Sequence, residues 1–313
     1  MSADPGPPTI SVTIVLHNSA GDLRECLRAI RPEIEEGSAE LIAVDNASPD
    51  ESAALVAEEL PSAQLIRAEE NLGFAAGANL AWPHARGRYW VLLNPDVVMP
   101  PRGLHGLGEW MDRHPGVGIG SAEIAAMDGS LNGSTGRAFP SLGRVLLELS
   151  RVHKLLPRET RARVMRGPYW MGGDHVDAGW VPGTAMIARR AAVEEAGLLD
   201  ESFFLYGEDI EWCWRMRKSG WSVGVCSSVT ARHRERASAV ATFTEAETSS
   251  RGARGVLRAA EVTRGRRYAR LWGRAIALAF ALEARHPRRS PEHKTHSLEQ
   301  AHVWRDALRT KSE

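Results

Sequence analysis

The chain has 313 residues, of which 43% are hydrophobic and 25% are charged, and its formal net charge is zero. This composition is typical of a globular protein with one large domain or two smaller ones, and it excludes a disordered chain. The zero net charge gives no reason to expect a nucleic-acid partner. Three dispersed cysteines, Cys26, Cys213 and Cys226, are too few for a disulfide framework or a zinc site, so we expect a reducing, cytoplasmic location.

The N-terminus and the apolar runs show neither a secretory signal nor a membrane span. Residues 1–9 form a short polar, proline-rich stretch without a basic region or an apolar core, and we expect a flexible tail there. The longest apolar run, residues 275–282, is far shorter than the roughly 20 residues that a spanning helix needs.

The first hundred residues alternate between predicted strands and predicted helices. Short runs rich in β-branched residues predict strands at 10–16, 41–44, 64–66 and 89–93. Helices are predicted to begin after Ser19, after Ser48 and at Gly73; both serines have an acid three residues later, as in a capping box. This alternation predicts an α/β fold with a mostly parallel, Rossmann-like central sheet and helices on both faces.

Polar residues follow three of these strands, namely His17-Asn18, Asp45-Asn46 and Asn94-Pro95-Asp96. In open parallel sheets ligands bind outside the carboxyl ends of the strands, so these residues outline a nucleotide-type cleft. The first strand is not followed by Gly-x-Gly-x-x-Gly, and the chain has no Walker-type lysine loop. A dinucleotide-binding fold and a phosphate-loop NTPase are therefore not supported.

Asp96 lies on a turn that two prolines, Pro100 and Pro101, soon follow. Its carboxylate oxygen suits a hard divalent cation that also binds phosphate oxygens. An aspartate that only forms the turn is the alternative at this point.

Two adjacent carboxylates, Glu208 and Asp209, follow Gly207 at the predicted start of a helix with apolar positions at Ile210, Cys213 and Trp214. An acid in the first helical turn faces the positive end of the helix dipole, so we expect it to stay ionised near neutral pH. A fixed carboxylate of this kind can act as a general base. Ordinary helix capping is the alternative.

The second half of the chain is less regular. We predict helices at 104–111, 145–166 and 189–196 and strands at 180–188 and 221–226. Between residues 251 and 294 there are twelve Arg or Lys and three Glu. A basic helical segment with apolar positions can lie on an anionic membrane surface, or it can pack on the main domain with a solvated basic face.

Four stretches together resemble the inverting family 2 glycosyltransferases of the GT-A fold, and among them the bacterial rhamnosyltransferase-like members. They are Val12–Asn18, Ile42–Asp50, Asn71–Asn79 with Leu92–Asp96, and residues 181–209 with His233. The match spans about residues 10 to 238. It departs from the family in one place, because Asn94 stands where the Asp-x-Asp metal motif has its first acid, while the last acid is retained as Asp96.

The resemblance implies a nucleotide-sugar-binding half over residues 10–100, an acceptor-binding and catalytic half over 101–240, and a basic helical extension over 241–313. It implies Asp209 as the general base with Glu208 beside it, and Mg²⁺ or Mn²⁺ held by Asp96 and His233. The residues that it places around the nucleotide sugar are Leu16, His17, Asn18, Asp45, Asn46, Asn71, Gly73, Phe74, Gly77, Asn79, Asn94, Pro95 and Asp96. Those that it places around the acceptor are Trp180, Gly183, Thr184 and Tyr206. Trp180 as a core residue and His233 as a surface histidine are the alternatives.

The implied activity is the transfer of a sugar, with L-rhamnose from dTDP-L-rhamnose as the leading choice, to a hydroxyl of a lipid-linked or polymeric cell-envelope glycan. The same chemistry on a small metabolite or a protein is an alternative, and so is a non-catalytic nucleotide-sugar-binding protein. A nucleotidyltransferase is disfavoured because residues 17–22 contain no basic residue. We expect a cytoplasmic enzyme, with peripheral contact between the basic C-terminal region and the inner membrane surface as an open question.

Overall fold

The computed structural model describes residues 8–131, 135–150, 152–157, 159–161, 164, 177–234, 244–287 and 289–309. The strands are β1 (Ile10–Leu16), β2 (Ala39–Asn46), β3 (Gln64–Ala68), β4 (Tyr89–Leu93), β5 (Val97–Val98), β6 (Val117–Ala125), β7 (Ala185–Arg189) and β8 (Ser222–His233). The helices are α1 (Ala20–Glu35), α2 (Ser52–Glu59), α3 (Gly73–Ala81), α4 (Gly103–Arg113), α5 (Leu142–Ser150), α6 (Arg190–Ala196), α7 (Glu208–Lys218), α8 (Glu245–Arg264), α9 (Arg266–Ala284) and α10 (Pro291–Arg309).

The eight strands form one sheet in the order β3-β2-β1-β4-β7-β6-β8-β5. The first four strands are parallel to each other, as the alternation predicts. Beyond β4 the sheet is mixed, because β7 pairs antiparallel with both β4 and β6, whereas β6 and β8 are parallel. The predicted α/β architecture is therefore confirmed, with antiparallel pairs in the second half of the sheet.

Strand β6 has no counterpart among the predicted elements. Its sequence contains Gly118 and Gly120, and glycines weaken a strand pattern. The structure shows why they are there: a Cβ atom on Gly120 would lie 2.6 Å from the Trp110 ring, which α4 packs onto the sheet. Because these glycines have no Cβ atom, α4 can pack closely on the sheet. The same glycines weaken the sequence pattern by which the strand could have been predicted.

Apolar clusters cover both faces of the sheet. Helices α1, α2 and α4 bury one face, and α3, α6 and α7 bury the other. On the second face the Trp90 ring lies between the rings of Trp82 and Trp212, with centroid distances of 5.1 and 5.9 Å. This packing holds α7, whose first turn carries the predicted catalytic pair.

Several local details differ from the predictions. The Thr9 N–H donates to the Ser38 carbonyl at 3.0 Å, so the last residue of the predicted tail is already bonded to the domain; residues 1–7 lie outside the described part of the chain. Ser19 does not cap α1 with its side chain; the Ala20 N–H donates to the Asp50 carboxylate at 2.8 Å instead. Helix α2 begins at Ser52, because Asp50 accepts from the Ser52 N–H at 3.1 Å.

The predicted helix over 145–166 is shorter than the pattern suggests. It is α5 followed by a 3₁₀ turn over Val152–Leu155, and part of its remainder lies outside the described residues.

The C-terminal extension is helical, as expected, and packs on the main domain. Ala259 of α8 is fully buried against Phe203 and Ile210, and the Tyr268 hydroxyl of α9 accepts a hydrogen bond from the Leu142 N–H at 2.8 Å. The helices that the structure describes include none with the length and hydropathy to cross a membrane.

Candidate active site

Strand β8 runs past its predicted end at residue 226 and brings His233 beside Asp96. Val97 of β5 pairs with His233, and the Arg234 N–H donates to the Asp96 carbonyl at 3.1 Å. As a result the His233 Nε2 atom lies 3.2 Å from Asp96 Oδ1. Both side chains are largely buried, which argues against a simple surface histidine.

The Asp96 carboxylate fits a divalent cation. Its Oδ1 atom is buried and, within the described residues, receives no hydrogen bond of acceptable geometry although the imidazole is close. A buried carboxylate oxygen without a donor is unfavourable unless it has another partner, such as a cation. Across the described ranges no group of three His, Cys, Asp or Glu side chains comes together, so the diphosphate and water would have to supply the other ligands.

The neighbouring cysteine is not a further ligand. The Cys26 Sγ atom donates to the Asn94 carbonyl at 3.6 Å. Burial, followed by the charge of Asp96, raises the pKa of the Cys26 thiol, so the thiol stays neutral.

Backbone contacts connect the Asp96 turn with the catalytic pair. The Asn94 N–H donates to the Thr184 carbonyl at 2.9 Å. The adjacent Gly183 N–H donates to the Asp209 carboxylate. The loop between residue 180 and β7 therefore touches both the predicted metal residue and the predicted base.

Asp209 lies in the first turn of α7. The preceding residues, Tyr206 and Gly207, both have a positive φ, of 69° and 98°, which turns the chain sharply into the helix. One Asp209 oxygen accepts from the Ile210 N–H at 2.8 Å. Asp209 remains partly exposed, whereas Glu208 is buried and its Oε2 atom has no hydrogen-bond partner among the described residues.

Helix α7 is fixed by a different aromatic residue from the one predicted. Ile210 and Cys213 are buried as expected, but Trp214 is half-exposed and Trp212 is fully buried. The Trp212 indole N–H donates to the Gly197 carbonyl at 2.8 Å, which fixes the rotation of the helix.

Burial raises the pKa of both carboxyl groups of the pair. For Asp209 this effect is opposed by the N–H groups of Ile210 and Gly183 and by the charge of Arg137. For Glu208 burial comes first and the negative charge of Asp209 raises the pKa further. The expectation was of an acid that stays ionised near neutral pH; desolvation opposes ionisation in both groups, and it raises the pKa to about 6 for Asp209 but to about 8 for Glu208. Asp209 loses its proton first, so a neutral Glu208 beside an ionised Asp209 is the stable arrangement of the pair.

The carboxyl ends of β1 and β2 carry the predicted nucleotide residues. Asp45 is buried; it accepts from the Ser48 N–H at 3.0 Å and lies 3.8 Å from the Arg67 guanidinium. The His17 Nδ1 atom donates to the Asn46 carbonyl at 3.0 Å, and Asn18 follows with a φ of 54°. Leu16, the last residue of β1, is fully buried and supports the carboxyl end of this strand.

The predicted nucleotide loop at residues 71–79 is tied to both halves of the domain. The Asn46 amide donates to Asn71 and to the Gly73 carbonyl, both at 3.0 Å. Gly73 has a φ of 82°, and a Cβ atom there would lie 2.2 Å from the Phe204 carbonyl. That carbonyl accepts from the Phe74 N–H at 2.7 Å, so the loop holds the chain that leads to α7.

Two other residues of this loop serve packing. A Cβ atom on Gly77 would lie 2.9 Å from the Val15 side chain, so this glycine lets α3 approach the sheet. The Asn79 side chain is buried; it donates to the Leu199 carbonyl and to Glu201, both at 2.9 Å. The Asn79 side chain is therefore occupied by hydrogen bonds within the protein, and its predicted role at the nucleotide stays a prediction.

Trp180, which was predicted to border the acceptor, pairs with Arg137. Their backbones exchange two hydrogen bonds of 2.9 Å, and the Arg137 guanidinium lies 5.1 Å from the centre of the Trp180 ring. The ring is half-buried against the core, so it has both a packing side and an open side. Arg137 was not predicted as a site residue because it lies in an irregular stretch of the sequence. Only the fold brings its positive charge near Asp209.

Comparison with known proteins agrees with this geometry. A family model described as "Glycosyl transferase family 2" matches residues 11–166, about half of the chain. The chain is 27% identical over 250 residues to an N-acetylglucosaminyl-diphospho-decaprenol L-rhamnosyltransferase of Mycobacterium tuberculosis, covering 72% of this chain and 76% of that protein. It is also 27% identical over 234 residues to the low-salt glycan biosynthesis hexosyltransferase Agl10 of Haloferax volcanii, covering 72% and 67%.

A solved structure supports the fold over nearly the whole chain. The mannosyltransferase PcManGT of Pyrobaculum calidifontis, in complex with GDP-Man and Mn²⁺, superimposes with a TM-score of 0.59 at 18% identity, covering 99% of this chain and 88% of that one. The strand order, the polar strand ends and these similarities lead to one assignment: the chain belongs to glycosyl transferase family 2 and has the GT-A fold.

Proposed function

We propose that this protein is an inverting hexosyltransferase that uses a nucleoside-diphosphate sugar. The observation that carries the proposal is the backbone connection between the Asp96 turn and Asp209 through residues 183 and 184. It supports the proposal because the Asp96 and Asp209 carboxylates lie on the two sides of one loop, an arrangement in which one could bind the cation and the other could accept the proton.

In the proposed reaction the ionised Asp209 carboxylate takes the proton of the acceptor hydroxyl. The hydroxyl oxygen forms a bond to the anomeric carbon while the bond from that carbon to the diphosphate oxygen breaks, and the diphosphate leaves with the electron pair. This single displacement inverts the anomeric centre. Proton transfer to a positioned base contributes about 10²–10⁴-fold to the rate.

Asp96 and His233 would hold the divalent cation, and a bound cation stabilises the negative charge that develops on the leaving diphosphate. Asn94 in place of a second acid leaves one fewer negative charge for the ion. Asp45 and Asn18 would contact the nucleoside at the ends of β2 and β1. Trp180, Thr184 and Tyr206 would border the acceptor.

For the sugar we propose L-rhamnose from dTDP-L-rhamnose, and for the acceptor a lipid-linked or polymeric cell-envelope glycan. The support is the activity of the mycobacterial relative, an N-acetylglucosaminyl-diphospho-decaprenol L-rhamnosyltransferase. The same chemistry on a small metabolite or protein remains the second candidate. The raised pKa of the pair argues against a non-catalytic nucleotide-sugar-binding protein. Carboxylates that only cap a helix have no use for a raised pKa, whereas a general base does.

A panel of nucleoside-diphosphate sugars, screened by thermal unfolding with and without Mn²⁺, tests the donor assignment. A ligand that binds the folded state raises the melting temperature by mass action. We expect the largest rise with dTDP-L-rhamnose plus Mn²⁺, and its metal-dependent part should disappear in Asp96→Ala. Equal stabilisation of the wild type and Asp96→Ala, with and without chelator, would contradict the metal assignment. Stabilisation by no nucleotide sugar would contradict the function.

A further inference from the structure

A second cavity lies outside the donor cleft, between the catalytic segment and the C-terminal helices. It has a volume of about 320 Å³, and residues 202–206 form one of its walls. The opposite walls come from α8, α9 and the end of α10. Neither Asp45 nor Asp96 lines it, so it is distinct from the proposed donor site.

The described lining of this cavity is strongly basic. It contains one carboxylate, Glu261, and six arginines, which are Arg251, Arg254, Arg258, Arg266, Arg270 and Arg309. Glu261 lies 3.9 Å from the Arg266 guanidinium, a loose contact. Within the described ranges, Arg254, Arg258 and Arg270 form no ion pair with a carboxylate of the protein.

Asp306 lies 3.6 Å from the Arg309 guanidinium and Glu261 lies near Arg266, so two of the six arginines have a carboxylate neighbour. The remaining guanidinium groups around the cavity repel each other, and an arginine cannot relieve the repulsion by losing its proton. An anion bound in the cavity would offset this electrostatic repulsion. The planar guanidinium donates two parallel hydrogen bonds to a phosphate group, which makes arginine the usual residue for phosphate recognition. The zero net charge of the whole chain shows that this basic surface is local.

The cavity is mechanically coupled to the catalytic turn. Gly255 of α8 packs so closely on Tyr206 that a Cβ atom on Gly255 would lie 2.0 Å from the Tyr206 carbonyl. Arg251, one turn earlier on the same helix, places its guanidinium 5.5 Å from the centre of the Phe204 ring. Tyr206 precedes Asp209 by three residues, so their Cα atoms are at most about 11 Å apart. The cavity wall therefore leads directly into the turn that precedes Asp209.

We propose that this arginine cavity binds a phosphate or diphosphate group on the acceptor and so directs the acceptor's sugar hydroxyl toward Asp209. The assignment rests on the proposed glycosyl transfer and adds to it a class of acceptor, namely a phosphorylated glycan. Arg254 and Arg258, one turn apart on α8, are the central ligands, because they lie on the helix that contacts the catalytic turn.

Calorimetric titration of the full chain with inorganic pyrophosphate, in excess EDTA and without a sugar donor, tests the proposal. We expect binding by the wild type and at least tenfold weaker binding by the double variant Arg254→Gln/Arg258→Gln. A matched control, Arg113→Gln/Arg305→Gln, removes the same charge from exposed arginines outside the cavity and should bind as the wild type does. Asp96→Ala should also bind normally, because its site lies in the other cleft.

Three results would overturn the proposal: no binding by the wild type, equal weakening in the control, or loss of binding in Asp96→Ala. Sedimentation with phosphatidylglycerol vesicles separates a lipid headgroup from an acceptor phosphate. If the cavity variant loses vesicle binding but keeps pyrophosphate binding, the arginines bind lipid headgroups and the proposal is wrong. Should the double variant fail to fold, the exposed Arg270→Gln offers the same comparison. Because no donor is present, this outcome is independent of whether the chain transfers sugar.

Discussion

At the scale of single residues, the proposed chemistry depends on two carboxylates with unequal surroundings. Asp209 keeps two backbone donors and a nearby arginine charge, whereas Glu208 is buried and has no hydrogen-bond partner for Oε2 within the described residues. The environment therefore separates the pKa values of two adjacent acids, the usual way in which proteins divide acid and base roles. A base with a pKa above that of ordinary aspartate accepts a proton more effectively near neutral pH.

The raised pKa predicts the acid limb of the pH–rate profile. Asp209 must be ionised to act, so kcat/KM should rise with pH through a midpoint above the ordinary aspartate value of about 4. Arg137 lowers this pKa, so Arg137→Gln should move the midpoint to higher pH. The Arg113→Gln control, far from the pair in sequence, should leave it in place. A midpoint that moved to lower pH in Arg137→Gln would contradict the electrostatic assignment.

Some site residues could be identified from the sequence and others could not. Asp96 and Asp209 follow recognisable local signals, the end of a strand and the start of a helix. His233 required the full length of β8, which continues beyond a register shift opposite Ala122 and Glu123 that the apolar pattern does not reveal. Arg137 and the arginine cavity depend on contacts between distant parts of the chain, for which one sequence contains no periodic signal.

At the scale of elements, the contact between α8 and the catalytic turn is the tightest that joins the C-terminal extension to the active site. A Cβ atom on Gly207 would lie 2.4 Å from the Gly255 carbonyl, and the reverse substitution would be equally crowded. Two glycines therefore let a helix backbone touch the turn directly. The C-terminal extension therefore supports the turn that precedes Asp209.

We expect Gly255→Ala to lower both stability and turnover. Overpacking of this kind costs about 1–3 kcal/mol, and the displaced Tyr206 carbonyl would shift the turn before Asp209. On the same helix, Gly252→Ala places its Cβ atom no closer than 3.9 Å to the Tyr206 ring, so it should be neutral or stabilising by up to about 1 kcal/mol. Thermal unfolding and kcat measured on both variants make the comparison. Equal behaviour of the two variants would show that the close contact does not matter.

At the scale of the whole molecule, α9 presents an exposed face suited to a membrane surface. Leu271, Leu278 and Leu282 are 54%, 51% and 47% exposed and lie in one stripe of the helix. The exposed Arg267, Arg274 and Arg285 flank that stripe. We propose that this face contacts the anionic inner leaflet, because apolar insertion and basic flanks are what such surfaces use.

Vesicle sedimentation tests this face. Leu271→Gln/Leu278→Gln/Leu282→Gln should lose at least tenfold in affinity for phosphatidylglycerol vesicles, since each buried leucine contributes on the order of 1.5 kcal/mol or more. Leu298→Gln changes a leucine of similar exposure, 49%, on α10 and should sediment as the wild type does. Unchanged sedimentation of the triple variant would rule out this face.

The architecture was accessible from sequence because β1–β4 and their helices are local, periodic and consecutive. The second half was harder, since β7 inserts between β4 and β6 in antiparallel fashion and β6 contains glycines that serve helix packing. The division at residues 100 and 240 stays a prediction: it assigns the predicted donor residues to the parallel part and the predicted catalytic pair to the mixed part, and the helical extension packs on the latter.

The most direct test of the central claim is the turnover of Asp209→Asn with the donor that the nucleotide-sugar panel identifies. Asparagine keeps the shape and the backbone hydrogen bond but cannot take the acceptor proton, so kcat should fall by about 10²–10⁴-fold while the donor dissociation constant stays unchanged. The exposed loop variant Asp128→Asn should retain full activity. Turnover by Asp209→Asn close to that of the wild type would contradict the assignment of Asp209 as the base.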